Sequence, residues 1–308
     1  MAQNKSILVL SYNICFQAMC HDASGSAYDL GKNCVWVVED QLTICAQNMA
    51  GFLDGAPASL GHSNFDFVGI QEANKIQYLQ AEAKQTLSKL KMIKSKTHAT
   101  NGGHAMQMAS FYDASKYNLI EHVCSQFNSS KTDRPFHVLL LEDINTSDKI
   151  IFINVHSPHG DSHNTKHPAY KYSCFEAVSY DLSAAAKTMK HFDATTNYRI
   201  IMTGDFNETG WNWKTKNLRK MEWQPLGNAD VSTEAKILNI IFSCNKSNGC
   251  WHGENGDRGG DYVFSSGNAA KIVVPSNYVF APNGACNDSS IMNSIWQSDH
   301  LPVMAELF

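Results

Sequence analysis

The sequence predicts one α/β domain. Three observations carry that prediction. Short apolar runs ending in polar residues, such as SILVLSYN at 6–13, FDFVGIQ at 65–71 and RIIMTG at 199–204, have the length and composition of buried strands. Longer stretches with helical spacing lie between such runs. No internal repeat, low-complexity tract or linker divides the 308 residues. That length supplies ample core for one large domain or two small ones, and one is the economical reading.

Taken in order, the first strand delivers Tyr12 and Asn13 to its carboxyl end. The stretch 15–33, CFQAMCHDASGSAYDLGKN, is polar and glycine-containing and reads as a loop. Residues 34–52 have helical spacing, with Val35, Val38, Leu42, Cys45, Ala46 and Met49 on one side. Glu39, Asp40 and Gln41 interrupt that run, as expected of a helix packed on a surface and not of one in a membrane. The second strand, 65–71, is followed at once by Glu72. Residues 73–90, rich in Ala, Gln, Lys and Leu, predict a helix. Short segments at 91–95, 105–112, 118–124, 137–142 and 149–156 then read as a run of antiparallel strands. A helix over 168–191 starts at Pro168, a residue suited to a first turn. The strand from Arg199 comes next, then a long polar and aromatic segment. The last strands are expected at 261–265, 271–274 and 302–307.

Composition excludes some classes of function. Hydrophobic residues at 43% and charged residues at 18% describe an ordinary globular chain. A net charge of -4 provides no global basic field for nucleic acid, although a local patch remains open. The opening MAQNKSILVLSYNI lacks the pattern of a secretory signal. No apolar stretch approaches the ~20 residues that span a bilayer. Nine cysteines without regular spacing read most simply as free thiols in a reducing compartment. The expectation is an intracellular protein, cytoplasmic or nuclear, with a secreted mature form as the alternative. No feature calls for an obligate protein partner.

The Arg199 strand stops at Gly204, and Asp205 and Asn207 follow with one residue between them. Alternate residues of an extended segment point the same way, so both should project from one strand end. An acid beside an amide can take a proton from water and hold an oxyanion or a metal ligand. The same Gly-Asp-x-Asn is also an ordinary turn. Asn13, Glu72, His156, Asp205 with Asn207, Asp261, and Asp299 with His300 all stand at the ends of predicted strands. Ligand sites in α/β sheets gather outside strand carboxyl ends. Each residue has a plain structural alternative: a turn cap for Asn13 and Asp299, a solvated helix start for Glu72, a core hydrogen bond for His156. Their accumulation is what points to a site.

In that order, the motifs SYNI, GIQEAN, NVHSPHG, GDFN, GGDYVFSS and SDHLPV resemble those of the endonuclease/exonuclease/phosphatase superfamily, whose best-known member is deoxyribonuclease I. The resemblance runs from Asn13 to the C-terminal strand. It implies a four-layer α/β/β/α sandwich of two mixed β-sheets, which the strand count alone does not specify. Arg134 in the Asp-Arg-Pro before a strand looks like the family arginine that meets substrate phosphate. Tyr112 stands where related nucleases carry an aromatic hydroxyl near the phosphate. Their alternatives are an ion pair for Arg134 and a core position for Tyr112.

The chemistry so implied is hydrolysis of a phosphate ester with a divalent ion. Glu72 is the first choice to hold Mg²⁺ or Mn²⁺, because a hard cation prefers carboxylate oxygen. Asn13 and Asp299 would complete or orient that shell. Asp205 would orient or deprotonate the attacking water, and Asn207 would hold the phosphate or that water. His300 needs a carboxylate partner to fix its tautomer, and the resemblance assigns that role to Asp261. His156 would donate to the phosphate or the leaving oxygen. A zinc reading competes: His156, His159, His163 and His167 with Asp161 lie within HSPHGDSHNTKHP, but two prolines and a glycine keep them off one helix face. Cys244, Cys250 and His252 lack a fourth ligand at regular spacing.

The segment ETGWNWKTKNLRKMEW interleaves Trp211, Trp213 and Trp223 with Lys214, Lys216, Arg219 and Lys220. Aromatic faces stack on bases and cations meet phosphates, so Trp211, Trp213 and Lys214 are candidate nucleic-acid contacts. The alternative is an amphipathic helix that buries Trp213, Leu218 and Met221. MTGDFNET and RGGDYVF depart from the inositol polyphosphate phosphatase pattern. Three functions stay open: a metal-dependent nuclease, a phosphoesterase for a smaller ester or phospholipid headgroup, and a non-catalytic binding protein on the same fold.

Overall fold

The computed structural model describes residues 6–22, 28–94, 107–158, 164–168, 174–207, 261–266, 270–273, 300 and 302–308. Two mixed sheets face each other. The first contains β1 (Ile7–Asn13), β4 (Phe67–Gln71), β5 (Lys91–Lys94), β6 (Met108–Tyr112), β12 (Ala270–Val273) and β13 (Val303–Leu307), in the order β12-β13-β1-β4-β6-β5. The second contains β7 (Tyr117–Gln126), β8 (Pro135–Asp143), β9 (Lys149–His156), β10 (Arg199–Asp205) and β11 (Asp261–Ser265), in the order β11-β10-β9-β8-β7. Each has one parallel pair, β1 with β4 and β9 with β10; all its other pairings are antiparallel.

Strand alternation sorts the core into three apolar layers. Leu8, Leu10 and Tyr12 of β1 pack with Leu53 of α3 (Ile44–Ser59) and Leu79 of α4 (Ile76–Glu82). Ile7 and Val9 of the same strand point to the other side. They join Phe67, Leu139, Phe152, Ile201 and Val263 between the sheets. Ile151, Ile153, Ile200 and Met202 face outward from the second sheet and pack with Val178 and Leu182 of α5 (Cys174–Thr188). The result is the expected α/β/β/α sandwich.

Four local expectations are corrected. The loop expected over 15–33 contains two short helices, α1 (Phe16–Cys20) and α2 (Tyr28–Asn33). The helix expected over 34–52 begins instead as a hairpin, β2 (Trp36–Val38) with β3 (Leu42–Thr43), because a run of valines and a tryptophan suits extended backbone. Thr43 ends the hairpin and caps α3, its hydroxyl accepting from the Ala46 amide at 3.1 Å. Cys34 and Cys45 are joined by a disulfide across this hairpin, so the expectation of free thiols fails for that pair. The helix expected over 73–90 is cut short after Glu82, where the Asp54 carboxylate takes the amides of Gln85 and Thr86 and a single 3-10 turn follows. The antiparallel run from 91 to 156 and the strands at Arg199, Asp261 and Val303 form where expected, with shifted ends.

Candidate active site

The parallel pairs set up the site. In the first sheet Asn13 ends β1 opposite Gln71, so Glu72, one residue on, lies at the same edge. In the second sheet His156 ends β9 opposite Asp205, and antiparallel β11 brings Asp261 opposite Asp205 from the other side. His300 stands shortly before β13, which runs beside β1.

Period two then aims these side chains between the sheets. On β1 the inward series is Ile7, Val9, Ser11, Asn13; on β9 it is Ile150, Phe152, Asn154, His156; on β10 it ends Ile201, Thr203, Asp205. The inter-sheet layer therefore passes from aliphatic through uncharged polar to charged along its length. In the middle, the Gln71 amide donates to Asn154 Oδ1 at 2.7 Å and Thr203 Oγ1 lies 3.3 Å from the same oxygen. Asn154 Nδ2 donates across to the Ala109 carbonyl at 3.0 Å. A Cβ on Gly69 would lie 1.9 Å from Thr203 Oγ1, so the close approach of the sheets requires glycine there. Sequence reasoning passed over this polar layer; the signal was an asparagine two residues before His156 in an otherwise apolar strand.

Asn13 is the hub at the charged end. Its Oδ1 accepts from the Cys15 amide at 3.1 Å, which turns its Nδ2 toward the site. Nδ2 lies 3.1 Å from Asp205 Oδ2, 3.4 Å from Glu72 Oε1 and 3.4 Å from His300 Nε2. Glu72 Oε2 accepts from the Phe16 amide at 3.0 Å, holding the carboxylate at the mouth of the site. Asp261 Oδ2 is 2.7 Å from His300 Nδ1. With an amide donor facing Nε2 and a carboxylate facing Nδ1, the network assigns the proton to Nδ1. The Arg134 guanidinium donates to His156 Nε2, and that nitrogen is 3.6 Å from Asp205 Oδ2. Burial lowers the Arg134 pKa, while Asp205 and Glu72 act against that shift.

Asp205 and Asn207 do not project side by side. The strand stops at Asp205, Phe206 turns into the outer core, and Asn207 takes a left-handed φ of 51°. Its backbone amide caps Asp205 Oδ1 at 2.8 Å, and its side-chain amide donates to the Ser157 carbonyl at 2.9 Å. The Gly-Asp-x-Asn stretch is thus both the turn and part of the site.

Tyr112 is corrected. It lies opposite Phe67, while Met108 at the other end of β6 lies opposite Gln71. Four residues of strand, roughly 13 Å, separate it from the site edge, and its ring belongs to the apolar inter-sheet layer. His167 goes elsewhere too, 3.2 Å from Asp181, so it shares no ligand cluster with His156. Asp299, Trp211, Trp213 and Lys214 lie outside the described residues, as do His159, Asp161, His163, Cys244, Cys250 and His252.

Among the described residues, Asp205, Asp261 and His300 each offer a ligand atom, all within 4.8 Å of one another, a group that could hold a metal ion. The 2.7 Å contact uses the His300 Nδ1 proton, so that nitrogen cannot ligate while the contact lasts. Glu72 adds a third carboxylate through Asn13. Three carboxylates beside one guanidinium give the site a surplus of hard oxygen donors, which fits a metal cation.

No family model matches the chain. A curated relative, an uncharacterized protein of Acanthamoeba polyphaga mimivirus, is 28% identical over 204 residues, covering 65% of this chain. The match spans about a third, 34%, of that relative's length. Solved structures are similar over almost the whole chain. An endonuclease/exonuclease/phosphatase family protein from Bacteroides thetaiotaomicron matches with a TM-score of 0.53 at 16% identity, covering 99% of this chain and 98% of that one. A mannosyl-6-phosphatase from the same organism matches with a TM-score of 0.53 at 16% identity, covering 98% and 100%. D. rerio TDP2 complexed with a single-strand DNA product matches with a TM-score of 0.51 at 12% identity, covering 99% and 100%. The α/β/β/α sandwich of this chain is the fold that these solved structures share, one of them an endonuclease/exonuclease/phosphatase family protein.

Proposed function

We propose that this protein is a divalent-metal-dependent phosphodiesterase, and that its substrate is a nucleic acid. The observation that carries the reading is the meeting of Asn13, Glu72, Arg134, His156, Asp205 and the Asp261–His300 pair at one edge of the inter-sheet layer. A phosphodiester resists attack because its oxygens are anionic, and a bound Mg²⁺ or Mn²⁺ supplies the charge that relieves this. Glu72 would hold that ion, and the Asn13 amide nitrogen, a donor and not a ligand, would orient the Glu72 carboxylate. Asp205 orients the attacking water, its Oδ1 kept in place by the Asn207 amide. Asp261 keeps the proton on His300 Nδ1, leaving Nε2 to face the reacting groups. Arg134 would meet the phosphate oxygens, a guanidinium being suited to paired anionic oxygens, with His156 beside it as its hydrogen-bond acceptor.

The nucleic-acid reading draws on the Trp211, Trp213 and Lys214 segment and on the DNA-bound structural neighbour. The sugar-phosphate named for another neighbour favours a second reading, a small phosphate ester in the same site. The test is cleavage of end-labelled single- and double-stranded DNA and RNA in Mg²⁺, Mn²⁺ or EDTA, beside Glu72→Gln. Metal-dependent cutting lost in the variant supports the nuclease. Intact polymers with hydrolysis of a small phosphate ester would replace it by the second reading.

A further inference from the structure

The loop between β7 and β8 brings Arg134 to the site, and something must hold that loop. Its base is closed by Phe127, whose amide donates to the Arg134 carbonyl at 2.9 Å, and by the Phe127 and Phe136 rings at 4.7 Å. Its far side is tied to a different layer. The Ser129 amide donates to Asp181 Oδ2 of α5 at 2.9 Å, a buried contact across 52 residues of sequence. Asp181 Oδ1 is 3.2 Å from His167 Nε2. The 164–168 segment closes the arrangement: the Asn164 amide donates to the Ser129 carbonyl at 2.7 Å, and Asn164 Nδ2 to the Asn128 carbonyl at 3.0 Å. One buried carboxylate, 4% exposed, thus joins the outer helix, the histidine segment and the loop that presents Arg134.

We propose that Asp181, supported by His167, is a positioning residue for Arg134. Among the described residues its hydrogen bonds go to Ser129 and His167, not to the site residues above. It acts by holding the 127–134 loop at one height above β8, so that the guanidinium reaches His156 and the carboxylates of Asp205 and Glu72. A charged acceptor for a buried amide is a strong anchor, and its loss leaves that amide unpaired. The proposal also gives His167, the described outlying histidine of the histidine-rich stretch, a role without zinc. It rests on the reading of Arg134 as the phosphate contact.

Two measurements on the full chain separate the proposal from that reading. The first is amide hydrogen exchange in Asp181→Ala and in the isosteric Asp181→Asn, with thermal unfolding as a control. Residues 127–134 should exchange at least ~10-fold faster in Asp181→Ala, while β9 and β10 keep their protection. Unchanged exchange in the loop, or an equal rise throughout the protein, would overturn the anchor. The second is a double-mutant cycle with Arg134→Ala, using bis(p-nitrophenyl) phosphate with Mg²⁺ or Mn²⁺. Asp181→Ala alone should lower kcat/KM by roughly 10- to 100-fold, chiefly through KM. In the Arg134→Ala background it should have almost no further effect. Multiplying losses would show that Asp181 does not act through Arg134. If Arg134→Ala alone matches the wild type, the phosphate reading of Arg134 fails, and the exchange result still decides whether Asp181 holds the loop.

Discussion

The two halves of the inter-sheet layer are built on the same strands and obey opposite chemistry. At one end Ile7, Phe67, Phe152, Ile201 and Val263 meet as interlocked apolar side chains. At the other, further along the same strands, Gln71 and Thr203 both bond to Asn154, and the Asn13 cluster follows. Apolar packing is non-directional and tolerates adjustment, whereas a buried polar layer holds only when each group finds its partner. The apolar half therefore contributes stability, and the polar half contributes register. It locks the sheet that carries Asn13 and Glu72 against the one that carries His156, Asp205 and Asp261.

The largest effect should come from the apolar half. Phe152→Ala removes a fully buried ring and should cost about 3–5 kcal/mol in chemical denaturation, with the folded fraction keeping its specific activity. Loss of activity beyond the folded fraction would blur the division. Glu72→Gln is the reverse case: hydrolysis should fall by ~10²–10³-fold while the melting temperature stays near that of the wild type. Asn154→Ala tests the border between the halves. It should cost about 2–3 kcal/mol, since Gln71 and Thr203 lose their shared acceptor. It should also lower kcat by more than its effect on stability explains.

The smallest effect is a matter of pH. His137 lies in the inter-sheet layer with its Nδ1 2.9 Å from Ser110 Oγ. Burial, and secondarily His122, push its pKa down to about 3. A histidine with a folded pKa below its unfolded value binds fewer protons when folded. Its penalty is absent above the unfolded value near 6.5, grows as pH falls below it, and levels off below about 3. Between pH 7 and pH 5 this should remove about 2 kcal/mol of stability, and His137→Gln should flatten that part of the pH profile. A profile unchanged in the variant would show that another group sets the acid limit.

The comparison also separates what was readable early from what was not. Strands such as 149–156 and 199–205 were legible because apolar runs are local signals, and the polar residues at their ends could be picked out one by one. The 34–43 hairpin was misread because valines and leucines at helical spacing also fit a braced pair of short strands. Tyr112 was misplaced because strand direction is not written in a strand: β6 runs antiparallel to β4, which sends its carboxyl end away from the site.

By itself the sequence determined the α/β class, most strand positions and the identity of the polar residues that end those strands, since these follow from period, length and residue type over a few neighbours. Only the tertiary structure decided that Asn13 and Glu72 from one sheet meet Asp205, His156 and Asp261 from the other, that Asn154 bridges the sheets beneath them, and that Asp181 lies under the Arg134 loop. Those contacts span from tens of residues to nearly two hundred, 192 between Asn13 and Asp205, and they depend on register and on the direction of each strand. Neither property has a local signature, because a slip of one residue or a reversed strand leaves every short-range pattern intact and changes which side chains face each other.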